Sequence, residues 1–161
     1  MVQRSLDSIV EYQLDRPPRG NWWPRVFCPY GFPMVIETEP FLEDGTPFPT
    51  LFWLTCPYLK EEISRIESGP VKVDIMNRIR QDRAASTEEL ESEKLYSEYL
   101  KRQGFNRELY VGGSRFPLTF KCIHALIAWY LVSHRGVAAQ LVLAELERTY
   151  CEDKRCEHRH E

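Results

Sequence analysis

The first half of the chain is patterned for β-structure. Residues 34–38 and 51–55 are rich in β-branched and aromatic side chains, which is typical of strands. Between them, residues 44–50 contain an Asp-Gly pair and two prolines, which are turn signals. Residues 26–31 read as a further strand that runs into a turn. We therefore predict an antiparallel hairpin with an ordered loop in this half.

Apolar residues at helical spacing dominate the rest of the chain. Pro57 suits the first position of a helix, and this places Cys56 at the N-cap. Ser86 and Glu89 have the spacing of a capping box that opens a helix reaching about residue 102. Further helices are predicted over residues 6–14, 71–79, 119–134 and 137–150.

These elements predict an α+β fold. A small antiparallel hairpin or sheet in the N-terminal half packs on a mainly helical C-terminal half. A chain of 161 residues is the usual size for one domain, which we expect to cover residues 1–150. Residues 151–161 are polar and are predicted to form a disordered tail.

Charge and hydropathy exclude some classes of protein. The net charge is -3 with both signs mixed along the chain, which argues against a nucleic-acid binder but leaves a small anionic ligand open. Residues 1–12 contain acidic side chains and no long apolar run, unlike a signal peptide. No segment approaches the roughly 20 apolar residues of a membrane helix. We therefore expect a cytoplasmic protein without a membrane partner.

The five cysteines are the main candidates for chemistry. A reducing cytoplasm argues against a disulfide framework, so metal ligation, a reactive thiol and simple packing stay open. Cys56 lies at one predicted helix start and Cys122 in the first turn of another, where the helix dipole favours thiolate. In the expected tail, a mixture of thiols and imidazoles predicts adventitious metal binding by Cys151, Cys156, His158 and His160.

Several short motifs resemble one family in their order and spacing. They are Cys28-Pro-Tyr-Gly, Val35-Ile-Glu-Thr, Asp44-Gly-Thr-Pro-Phe-Pro-Thr, Leu54-Thr-Cys-Pro and Lys121-Cys-Ile-His-Ala-Leu. Over about residues 13–131 the chain resembles the bacterial family known as domain of unknown function 501. The resemblance implies that family motif positions are occupied by Cys28, Cys56, Cys122 and His124. It implies no reaction.

The leading hypothesis is that Cys28, Cys56 and Cys122 bind one zinc ion or an iron–sulfur cluster, with His124 as ligand or close neighbour. Residues two apart on a regular helix point about 200° away from each other, so Cys122 and His124 cannot both face one ion from such a helix. One alternative is a non-enzymatic interaction module with packed cysteines or a structural zinc. Another is a thiol enzyme that uses Cys122 with a histidine in reach.

Two further groups are weaker candidates. The loop between the predicted strands is either a binding loop or a stiff hairpin connection with Phe48 as a hydrophobic plug, and Asp44 in it is a candidate catalytic carboxylate. The binding-loop residues are Asp44, Gly45, Thr46, Phe48 and Thr50. Arginines beside proline- or glycine-containing turns are either solvated or hold a phosphate or carboxylate. These are Arg16, Arg19 and Arg115.

Overall fold

The computed structural model describes residues 2–158, with the side chains of residues 6–157. Within that range the strands are β1 (Trp22–Phe27), β2 (Pro33–Thr38) and β3 (Phe52–Leu54), which form one antiparallel sheet in the order β1-β2-β3. The α-helices are α1 (Val2–Leu14), α2 (Pro57–Glu67), α3 (Pro70–Gln81), α4 (Arg83–Arg102), α5 (Ile123–Ser133) and α6 (Ala138–Ala144). A small N-terminal sheet on a helical remainder confirms the predicted α+β fold.

The central strand β2 is buried along its whole length. It pairs with a strand on each side, and Val35 faces Val26 on β1 and Leu54 on β3. Both α1 and α5 contact it. Its charged residue Glu37 is also buried, and the carboxylate accepts a hydrogen bond from the Tyr99 hydroxyl at 2.6 Å. A buried carboxylate needs such partners, because burial without them is costly.

Helix α5 forms the centre of the core. Residues 125–129 on it are all buried, as expected of a helix that is apolar on nearly every side. It contacts the sheet, α2 and α6. The predicted start at residue 119 was wrong, because Leu118 and Phe120 have φ values of 59° and 53°, which a right-handed helix does not allow. Helix α5 begins instead at Ile123, with Cys122 as an extended N-cap residue at φ -139° and ψ 111°.

Helix α4 begins earlier than its predicted capping box. The Asp82 carboxylate accepts from the Ala85 amide at 3.0 Å and caps the helix. Ser86 lies inside the helix, and its hydroxyl donates to the Asp82 carbonyl. The Glu89 carboxylate accepts from the amide of Val137 at 2.7 Å, just before α6. The predicted box was wrong because Glu89 binds a distant helix start instead of its own. Helix α6 is also shorter than predicted.

Helices α5 and α6 are consecutive in the chain and are together long and apolar. In the part of the chain that the structure describes, no single helix has the length and apolar composition to cross a membrane. The two helices meet these criteria only when they are taken together, and they are bent by 101° at the break between them.

The described part of the C-terminal segment packs on the domain. Cys151 and Cys156 are only 8% and 6% exposed. The Tyr30 hydroxyl donates to the Cys151 carbonyl at 2.8 Å, and Gln13 Nε2 contacts Cys156 Sγ at 3.4 Å. A short 3₁₀ helix covers Arg155–His158. This arrangement differs from the disordered tail that the polar composition predicts, because the apolar thiols and aromatic neighbours find partners on α1 and on the turn after β1.

Candidate metal sites

The candidate metal ligands divide into two groups at opposite ends of α2. Cys122 and His124 lie beside Glu67, the last residue of this helix. Cys28 and Cys56 line a cavity beside its first residue, together with Cys151 and Cys156. An 11-residue helix is about 16 Å long, so one ion cannot join the two ends. The structure therefore does not bring Cys28, Cys56 and Cys122 to a common centre.

The first group, which we call the Cys122 site, consists of Glu67, Cys122 and His124. One carboxylate oxygen, the thiol sulfur and one imidazole nitrogen all lie within 4.8 Å of one another. The constraint expected from helical geometry does not apply, because Cys122 precedes α5 in an extended conformation. Both side chains can therefore point to the same space at the end of α2.

Contacts on both sides of the His124 ring fix its orientation. Nδ1 lies 2.8 Å from Oε2 of Glu67, and Nε2 lies 3.2 Å from the carbonyl oxygen of Lys60 and 3.1 Å from Oγ of Ser64. A carbonyl can only accept, so this partner assigns a proton to Nε2. The other ring nitrogen, Nδ1, faces the Glu67 carboxylate.

The charges within the Cys122 site are coupled. Burial of the Cys122 sulfur opposes ionisation, but the interactions with His124 and with the Ala125 amide outweigh it and hold the pKa of the thiol below its usual value. The pKa of His124 is raised, first by Cys122, then by the Lys60 carbonyl and Glu67, against the effect of burial. Both shifts are towards the ionised forms, a thiolate and an imidazolium, with the Glu67 carboxyl group beside them.

The Cys122 site is open to solvent on one side and closely packed on another. Glu67 and His124 side chains are 25% and 27% exposed, so a small molecule can approach them. On the packed side, a Cβ atom added to Gly112 would lie 3.4 Å from Cβ of Cys122. Gly112 also has φ 76°, which favours glycine. Gly112 thus lets the chain approach Cys122 closely.

The second group, which we call the cysteine cavity, is lined by Cys28, Cys56, Cys151 and Cys156. Cys56 is the N-cap of α2, as the sequence predicted from Pro57. Burial raises the pKa of the Cys56 thiol to about 11, although the amides of Leu59 and Tyr58 act in the opposite direction. In the absence of a bound cation this thiol is protonated at neutral pH.

The chain was compared with known protein families, and one family model matches it. The family described as "Protein of unknown function (DUF501)" matches residues 25–144, about three quarters of the sequence. The chain belongs to the DUF501 family. The matched region includes the whole Cys122 site, together with Cys28 and Cys56, whereas Cys151 and Cys156 lie beyond it. No curated protein and no solved structure matches the chain.

The predicted binding loop of this DUF501 protein lies against the sheet. Asp44 is exposed, and its pKa is lowered first by the Thr46 side chain and then by the Thr46 amide, which donates to the carboxylate at 2.9 Å. Phe48 stacks on Trp53 at 5.5 Å, and the Arg19 guanidinium lies 5.7 Å from the Phe48 ring. These contacts fit a stiff connection with Phe48 docked. Binding by Asp44, Gly45, Thr46, Phe48 and Thr50 stays a prediction.

The three candidate arginines are not one group. Arg16 and Arg19 line a single cavity, which Glu39 also lines. Arg115 is exposed and is not part of that lining. An anion between Arg16 and Arg19 would meet a carboxylate, so the anion site stays a prediction for this pair.

Sequence reasoning missed Glu67, and it predicted only adventitious metal binding for Cys151 and Cys156. Glu67 carried one usable signal, because a carboxylate in the last turn of a helix faces the negative end of the helix dipole and needs another reason to be there. Cys151 and Cys156 were placed in a tail beyond the family motifs. Among the other tail candidates, His160 lies outside the described residues, as does the side chain of His158.

Proposed function

We propose that this DUF501 protein binds a divalent metal ion, zinc first, at the Cys122 site and leaves one coordination position open. The observation that carries the proposal is the convergence of Glu67, Cys122 and His124, whose donor atoms lie within 4.8 Å of one another. Thiolate, imidazole and carboxylate are the protein ligands that zinc takes. Three such ligands with a vacant fourth position are typical of catalytic zinc sites.

The contacts around His124 support a ligand role. Metal-binding histidines usually donate their second ring N–H to a carbonyl or carboxylate, which orients the ring. The Lys60 carbonyl takes this position at Nε2, and Nδ1 is then directed at the Glu67 carboxylate. Unless a cation lies between them, an unprotonated Nδ1 and a carboxylate oxygen 2.8 Å apart repel each other. A proton or a metal ion relieves that repulsion.

The remaining oxygen of Glu67 is held from the other side. Oε1 lies 3.4 Å from the Ile123 amide and 3.9 Å from the Lys72 ammonium. These contacts leave Oε2 directed towards His124. A metal ion held here would lower the pKa of a bound water to about 7, which provides hydroxide for hydrolytic or hydration chemistry. The partial exposure of the site lets a substrate reach that position.

A second candidate function is thiol chemistry at Cys122. The lowered pKa of this thiol and the raised pKa of His124 favour a thiolate–imidazolium pair, which is the activated form of a cysteine nucleophile. Glu67 would then orient the histidine, as the third group does in catalytic triads. The same three residues serve both functions, so the experiment must distinguish them.

The test measures zinc in protein purified under reducing conditions, by elemental analysis of the wild type and of Cys122→Ser and Glu67→Gln. We expect both variants to lose one zinc per chain. Glu62→Gln, a matched change on the same helix, should lose none. Cobalt substitution gives a second readout, because thiolate-to-cobalt absorption should fall in Cys122→Ser.

Equal zinc content in all four proteins would contradict metal binding at the Cys122 site. In that case the rate of iodoacetamide alkylation tests the second candidate. Fast modification of Cys122 that slows in His124→Gln supports thiol chemistry. Slow modification that does not depend on His124 excludes it.

A further inference from the structure

Four thiols from distant parts of the chain surround one space in the cysteine cavity. Cys28 follows β1, Cys56 precedes α2, and Cys151 and Cys156 come from the C-terminal segment. The cavity is about 10 Å³, room for about one water molecule. Cysteines that serve only as small hydrophobic side chains would be expected to pack against one another and fill it, since protein interiors are close-packed.

Polar groups are directed at the sulfurs. The Phe32 amide donates to Cys28 Sγ at 3.4 Å, within a tight turn closed by a 2.8 Å bond from the Cys28 amide to the Phe32 carbonyl. Gln13 Nε2 donates to Cys156 Sγ at 3.4 Å and also to the Pro33 carbonyl. Neutral thiols accept hydrogen bonds weakly, whereas N–H groups around metal ligands orient and tune them.

Positive charges accompany the four sulfurs. Lys154 and Arg155 line the same cavity, with Lys154 Nζ 5.3 Å from the Tyr30 ring and the Arg155 guanidinium 5.6 Å from the Tyr58 ring. A divalent ion with four thiolates carries a net charge of about -2. These two cations lie where they can balance part of that charge, and the Arg155 guanidinium also pairs with Asp153 at 3.2 Å and with Glu61 at 3.3 Å.

We propose that Cys28, Cys56, Cys151 and Cys156 are the ligands of a second, closed metal site that holds one zinc ion. Four thiolates in a tetrahedral arrangement are a structural zinc site, and one ion matches the size of the cavity. The site is independent of the Cys122 site, because the two lie at opposite ends of α2. Its role is to attach the C-terminal segment to the domain.

Binding draws the four sulfurs together. In the described part of the chain, only the Cys122 site has three candidate donor atoms within 4.8 Å of one another, so no three sulfurs of the cavity are that close. A Zn–S distance of about 2.3 Å places tetrahedral thiolates roughly 3.8 Å apart. The two ligands of the C-terminal segment are five positions apart and can move inward together. Zinc therefore tightens this segment onto α1 and α2.

The test uses the full chain and counts zinc in the wild type, in the double variant Cys151→Ser with Cys156→Ser, and in Cys122→Ser as the matched control. The double variant should lose one zinc per chain, and Cys122→Ser should keep the zinc of this cavity. A milder pair guards against misfolding: Cys156→His should retain zinc, because imidazole is a zinc ligand, and Cys156→Ala should not. Limited proteolysis with mass spectrometry gives a second readout, since removal of zinc should expose cleavage sites after Tyr150.

The two metal proposals fail separately. Loss of zinc in the double variant alone supports the closed site and contradicts the Cys122 site, and loss in Cys122→Ser alone does the reverse. Three results overturn the closed site: unchanged zinc in the double variant, iron with sulfide in place of zinc, or a disulfide among these cysteines under reducing conditions. Equal retention in Cys156→His and Cys156→Ala also contradicts it.

Discussion

The carboxyl group of Glu93 makes the stability of the protein depend on pH. Its side chain is 1% exposed on α4, and burial raises its pKa from 4.5 to about 7, although the Leu118 amide donates to the carboxylate. The nearby charge of Glu89 acts in the same direction as burial. The folded protein therefore holds a proton on Glu93 that the unfolded chain releases between pH 4.5 and 7.

The sign and size of the effect follow from linkage. The folded state binds more protons in this window, so the free energy of unfolding falls as pH rises from 4.5 to 7. Above pH 7 the whole loss of stability is present. The pKa difference is about 2.5 units, and each unit corresponds to about 1.4 kcal/mol, which gives a loss of about 3 kcal/mol. Glu93→Gln removes the charge and keeps an oxygen for the Leu118 amide.

We expect Glu93→Gln to match the wild type near pH 4.5 and to exceed its unfolding free energy at pH 8 by up to about 3 kcal/mol. The assay is urea unfolding followed by tryptophan fluorescence across this range. Both proteins carry the same cysteines, so metal loss at low pH cancels in the difference. Glu98→Gln, an exposed change on α4, is the control. A constant difference between Glu93→Gln and the wild type across the range would refute the reasoning.

Three further substitutions test local features. Gly112→Ala should lower the stability measured in a thermal melt by at least about 1 kcal/mol, because residue 112 has φ 76°. It should also weaken zinc binding at the Cys122 site, because the new Cβ contacts Cys122. Ile79→Ala should lower the free energy of unfolding measured in urea by about 2–5 kcal/mol, because the side chain is fully buried in the core. A smaller loss means that neighbouring side chains move in to fill the space that Ile79 leaves. Asp82→Ala should cost about 1 kcal/mol by removing the α4 cap on the Ala85 amide, and Asp82→Asn should restore it.

Local rules predicted the parts of the fold that depend on neighbouring residues. Pro57 at a first helical position identified Cys56 as an N-cap, because the lost N–H has no partner there in any helix. The start of α5 could not be predicted in this way. Leu118 and Phe120 adopt positive φ without being glycine, so nothing in their identity marks the break. That break is the reason that Cys122 and His124 can face one site.

The composition of the candidate sites depended on tertiary contacts. Glu67 and His124 are far apart in sequence and meet because α2 ends where α5 begins. Cys151 and Cys156 were judged by their polar neighbours, whereas their burial depends on Gln13 and Tyr30 near the other end of the chain. A fragment that stops at the family boundary, residue 144, lacks both cysteines.

The contacts of the C-terminal segment also have a consequence for synthesis on the ribosome. Gln13 and Cys156 are separated by 143 positions, and Tyr30 and Cys151 by 121. Contacts of such long range must wait until both partners have been translated, so the sheet and α2 emerge with one wall of the cysteine cavity missing. Cys28 and Cys56 stay accessible to metal ions and oxidants until residues 151–156 have left the exit tunnel. The segment that carries Cys151 and Cys156 therefore closes the cavity only after the rest of the domain has been translated.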